Sequence, residues 1–130
     1  MSVILFDASA IIELCLDGPK AAEMETWLEK IAKPKSGWSG AISSIAAAQL
    51  YQGLPKKSDA ARALSFLKHA SVEIIAPDAE TSQKAASLAV EYKLPLEKAL
   101  VLATAFKENA VFYTTDEAFA KVKGIDVVGL

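Results

Sequence analysis

Apolar residues along this chain recur in two rhythms: short unbroken runs, and longer stretches spaced at three and four residues. The runs include Val3-Ile4-Leu5-Phe6, Trp38-Ser39-Gly40-Ala41-Ile42, Val72-Glu73-Ile74-Ile75-Ala76, Val111-Phe112-Tyr113 and Val127-Val128. Brevity and β-branched or aromatic content predict strands, the first of them buried on both faces and the last at an edge. Between them lie helical patterns. Ala10–Leu16 is short and is broken by Asp17-Gly18-Pro19, and Lys20–Ile31 carries Ala21, Met24, Trp27, Leu28 and Ile31 on one stripe. Ser43-Ser44 caps a helix to Gly53, and Asp59–His69 follows. Pro77-Asp78 opens a helix over Ala79–Tyr92, and Leu96–Glu108 is apolar nearly all round, which predicts a central position. A short helix is expected at Glu117–Lys121.

Strands alternating with helices predict one α/β domain over residues 1–130, a parallel sheet of four to five strands covered on both faces. In such sheets ligands bind beyond the carboxyl ends of the strands. Two strands end there in acids: Phe6-Asp7-Ala8-Ser9, and Tyr113-Thr114-Thr115-Asp116. Together Asp7 and Asp116 could hold a divalent cation. Gln49 falls on the apolar side of its helix, where a polar amide needs partners.

Composition narrows the function. A hydrophobic fraction of 52% suits buried parallel strands and leaves some surface for a dimer interface. No run approaches the roughly 20 apolar residues of a membrane span. No signal peptide is read, so a cytoplasmic location is expected. The single Cys15 is expected to be a small core residue. A net charge of −2 gives no general affinity for nucleic acid. Lys56, Lys57, Arg62 and Lys68 form the one basic cluster, either a solvated helix face or a contact for RNA phosphates. Phosphate-loop, dinucleotide-binding and Cys/His zinc motifs are absent from the sequence.

Four segments together resemble a PIN domain, in particular the small prokaryotic members similar to VapC toxins. They are Phe6-Asp7-Ala8-Ser9, Gln49-Leu50-Tyr51-Gln52-Gly53-Leu54, Lys98-Ala99-Leu100-Val101-Leu102-Ala103-Thr104-Ala105 and Thr114-Thr115-Asp116-Glu117-Ala118-Phe119. The resemblance implies an α/β/α sandwich, homodimers, an antitoxin partner, and RNA cleavage by a Mg²⁺- or Mn²⁺-binding cluster of acids. It matches the family's acids to Asp7 and Asp116, with Ser9 and Thr114 as accompanying hydroxyls. The second acid falls on Gln49 and the third on Lys98. An inward Lys98 takes the electrostatic place of a metal, so catalysis is expected to be weak or absent. Glu97, next to Lys98, and Glu117, next to Asp116, are the acids that could complete a cluster. Two alternatives follow: an active nuclease using Asp7, Asp116 and Glu97 or Glu117 with Mg²⁺ or Mn²⁺, or a non-catalytic module binding RNA or protein and needing no ion.

Overall fold

The computed structural model describes residues 2–130. Five parallel strands form one sheet in the order β3-β2-β1-β4-β5: β1 (Ser2–Phe6), β2 (Trp38–Ser43), β3 (Val72–Ile75), β4 (Val111–Tyr113) and β5 (Val127–Val128). Strand β1 is central. Its register pairs Phe6 with Ile42 on one side and with Tyr113 on the other, so Asp7 leaves the sheet between two neighbours. Ile4, Leu5 and Phe6 are fully buried, as an unbroken apolar run between helical layers requires.

The helices are α1 (Ala8–Cys15), α2 (Ala21–Ala32), α3 (Ser44–Gly53), α4 (Lys57–His69), α5 (Ala79–Tyr92) and α6 (Leu96–Lys107). Helices α2 and α4 pack against β2 and β3, while α5 and α6 pack on each other with α6 against β4, giving an α/β/α sandwich. The expected caps are in place: Ser43 Oγ accepts from Ile45 N at 3.1 Å, and Asp78 Oδ1 accepts from Thr81 N at 2.8 Å. Helix α6 buries Ala99, Val101, Leu102, Ala103, Thr104 and Ala105. Its central position sets the direction of everything in its first turn.

Three local expectations are corrected. Helix α1 begins at Ala8 rather than Ala10, because Asp7 acts as the cap residue and its carbonyl accepts from Ala10 and Ile11. The segment after Asp116 is a single 3₁₀ turn, Glu117–Phe119, in which Phe119 packs edge-on against Phe112 at 5.0 Å between ring centres. Cys15 is exposed, not in the core. It shares the helical face of Ala8 and Ile11, but as the last residue of α1 it lies past the core that buries them. Among the described residues no helix is long and apolar enough to cross a membrane.

Candidate functional site

Asp7 and Asp116 meet because β1 and β4 are neighbours in register and both chains turn at the same end of the sheet. Asp7 N donates to Tyr113 O at 2.8 Å, tying the two strand ends together just where the acids leave them. The open crevice beyond is about 290 Å³ in volume, and is lined by Asp7, Ser9, Gln49, Gln52, Lys98 and Asp116 among others.

Asp7 is buried, and its carboxylate is held by hydroxyls from both strand ends. Ser9 Oγ donates to Oδ2 at 2.7 Å and Thr114 Oγ1 donates to the same oxygen at 2.8 Å. Each hydroxyl has a second task. Ser9 Oγ accepts from Thr115 N at 3.0 Å, and Thr114 Oγ1 accepts from Asp116 N at 3.0 Å. The turn that carries Asp116 is thereby fixed on the groups that hold Asp7. Burial pushes the Asp7 carboxyl above its ordinary value of 3.8; the hydroxyls of Ser9 and Thr114 oppose this without cancelling it, and Asp116 adds to it.

Asp116 is differently placed. Its Oδ1 accepts from Ala118 N at 2.9 Å, and Lys98 Nζ lies 2.6 Å from its Oδ2. Partial burial pushes this carboxyl up, but the Lys98 ammonium and the Ala118 N–H together outweigh that and hold it below its ordinary value. Lys98 therefore points into the crevice from the first turn of α6. Gln49 reaches the same crevice from α3, with its Oε1 buried and without a hydrogen-bond partner.

The four segments singled out in the sequence thus converge on one place. The sequence matches the PIN domain family over residues 4–125. The chain belongs to that family. Among solved structures, this PIN domain is similar to a toxin–antitoxin complex from Klebsiella pneumoniae, at 30% identity over 96% of this chain and 95% of that one, with a TM-score of 0.72. A second is the VapBC2 complex from Rickettsia felis bound to a DNA fragment from its promoter, at 22% identity, 97% coverage of both chains and a TM-score of 0.75. A third is a sarcin-ricin loop cleaving toxin, VapC20 of Mycobacterium tuberculosis, at 16% identity over 90% and 92% of the two chains, with a TM-score of 0.70. No curated protein matches the sequence.

The remaining predicted positions of the PIN domain lie elsewhere. Glu97 and Glu117 are both exposed and do not line the crevice. Among the described residues, no three Asp, Glu, His or Cys side chains gather where they could hold one metal ion. Lys56, Lys57, Arg62 and Lys68 of the basic cluster are all exposed, and Arg62 is also paired with Asp59 at 3.2 Å. One polar crevice residue was not among the predicted site residues. Gln52 lies three positions after Gln49 on the same face of α3, and that spacing was the available signal.

Proposed function

We propose that this PIN domain is a VapC-type protein that engages RNA and an antitoxin partner, with phosphodiester cleavage weak or absent. The observation that carries the reading is Lys98 Nζ at 2.6 Å from Asp116 Oδ2 within the acidic crevice. The chemistry of this family uses a divalent ion held by several acids to activate water and to offset charge on phosphate. The donor set here fits such an ion poorly. Asp116 has both oxygens engaged, and Asp7 has one oxygen taken by two hydroxyls. An ammonium 2.6 Å from a carboxylate gains on the order of 6 kcal/mol of Coulomb energy at an effective dielectric of about 20, before desolvation is subtracted. An incoming dication has to displace that ammonium and then meet its like charge.

What the side chains do without an ion is limited. Asp7, oriented by Ser9 and Thr114, can accept a proton from a water molecule, and Lys98 can donate hydrogen bonds to a phosphate oxygen. Charge developing on the phosphate is then offset by one cation that is already shared with Asp116. The exposed Lys56, Lys57 and Lys68 offer contacts for an RNA backbone outside the crevice. The toxin–antitoxin complexes among the similar structures support an antitoxin partner, and a homodimer is part of the same proposal.

The direct test is cleavage of a labelled single-stranded RNA by purified protein, with Mn²⁺ or with chelator, for wild type and Asp7→Asn. Background cleavage that Asp7→Asn leaves unchanged is expected. Strong Mn²⁺-dependent cleavage lost in Asp7→Asn would establish instead an active nuclease that depends on Asp7, the alternative in which Glu97 or Glu117 joins Asp7 and Asp116.

A further inference from the structure

Two carboxylates facing one crevice repel each other and resist burial, so a fold that keeps both must supply donors or a cation. The structure accounts for the donors one by one. Asp7 Oδ2 receives two hydroxyls, Asp116 Oδ1 receives a backbone N–H, and Asp116 Oδ2 receives the Lys98 ammonium. These bonds leave over Oδ1 of Asp7 and the unpartnered Oε1 of Gln49. One anionic and one neutral oxygen beside an ammonium make a poor cage for a hard dication, which seeks several oxygen ligands and no neighbouring cation.

We propose that Lys98 is the resident cation of this crevice: its ammonium does the electrostatic work of a bound metal, so the native state neither needs nor favours Mg²⁺ or Mn²⁺. This deepens the reading given under Proposed function and rests on the same contact, but it concerns ion binding and stability, not cleavage. The side chain suits the task. Lys98 and Asp116 retain only 32% and 26% of their side-chain exposure, so water screens the pair incompletely. Lys98 is anchored in the first turn of α6, whose next residue, Ala99, is fully buried, so the helix cannot roll to carry the ammonium out.

The same geometry makes the crevice one substitution away from a metal site. Lys98→Asp removes the cation and adds a third carboxylate beside Asp7, Asp116 and the carbonyl of Gln49. Metal that binds only the native state stabilises it by mass action.

The experiment is thermal unfolding in chelator and in millimolar Mn²⁺, with Mn²⁺ binding followed independently by electron paramagnetic resonance. Wild type is expected to melt at the same temperature in both and to leave the Mn²⁺ signal free. Lys98→Asp is expected to melt lower than wild type in chelator and to gain about 5 °C or more in Mn²⁺, with the signal quenched. Lys98→Gln, which removes the charge without adding an acid, should gain less than Lys98→Asp but more than wild type, and Lys98→Arg should behave as wild type. A Lys98→Asp chain that folds only when Mn²⁺ is present supports the proposal. A wild-type protein that binds Mn²⁺ and gains as much as the variants overturns it, whatever its cleavage activity. Folded Lys98→Gln and Lys98→Asp proteins that ignore Mn²⁺ overturn it equally, since the ammonium is then not what excludes the ion. RNA cleavage is read separately, so failure of one reading is not mistaken for failure of the other.

Discussion

Thr114→Val is the most informative single change outside the ion question, because valine keeps the shape of a fully buried side chain and removes only its hydroxyl. That hydroxyl donates to Asp7 Oδ2 at 2.8 Å and accepts from Asp116 N at 3.0 Å, and it also lies 3.2 Å from Ser9 Oγ. A hydrogen bond to a charged group contributes about 1.5–3 kcal/mol and a neutral one about 1 kcal/mol, so the loss is roughly 2–4 kcal/mol. At an m-value of about 2 kcal/mol per molar, the middle of the usual range, the urea midpoint should fall by roughly 1–2 M.

The penalty should also depend on pH, and the sign is fixed. Asp7 binds its proton more tightly folded than unfolded, since burial raises it above 3.8 despite two donors. A carboxyl raised in this way costs stability above its folded pKa, and the cost is relieved as pH falls toward 3.8. Removing one donor raises it further. The Thr114→Val penalty should therefore be largest at about pH 8 and smaller at about pH 4.5, because the protonated acid needs the hydroxyl less. Asp116, held below 3.8, contributes stability that is lost only at still lower pH, so it leaves this window undisturbed. Urea titrations of both proteins at the two pH values decide the matter. Equal penalties at both, or a penalty under about 0.5 kcal/mol, would refute the account of Asp7 as a buried acid held by Thr114.

Other consequences are simpler to check. Gly129 sits at φ +96, where an added Cβ would come within 2.6 Å of Thr114 O, so Gly129→Ala should destabilise the fold by a few kcal/mol, roughly, in urea titrations. If RNA is held by the exposed lysines, the Lys56→Ala/Lys57→Ala double variant should reduce the salt dependence of single-stranded RNA binding by about 1.4 in log–log slope. Arg62→Ala should change that slope little, since Arg62 is already engaged by Asp59; fluorescence anisotropy across a salt series separates the two. Cys15 should react with a thiol reagent in the native protein, but more slowly than a free thiol, because partial desolvation and the nearby Asp59 both push its thiol up.

Much of this molecule was legible in the sequence because the governing interactions are short in range. The run Val3–Phe6, whose last three residues are fully buried, the caps at Ser43 and Asp78, and the apolar character of Leu96–Glu108 each depend on a few neighbouring residues, and each appears in the structure, the last as a helix ending at Lys107. The order of strands and helices follows from them, and with it the placing of Asp7 and Asp116 beyond adjacent strand ends. Local pattern failed where a helix end decides exposure, as with Cys15, whose spacing puts it on the face of Ala8 and Ile11 but does not say that the core stops short of it.

The character of the site was decided only by the tertiary structure. Thr114 and Asp7 share a hydrogen bond across 107 residues of chain, and no local rule states that Ser9 and Thr114 converge on one oxygen of the same carboxylate. Lysine has a long, freely rotating side chain, so its position in the sequence allowed Lys98 to point to solvent or inward. Packing of α6 on the sheet places its first turn over Asp116, and the carboxylate there fixes the ammonium. The same packing leaves Glu97, about 100° around the helix, in solvent. The sequence alone determined which charged residues could reach the crevice; long-range packing decided that Lys98 points into it.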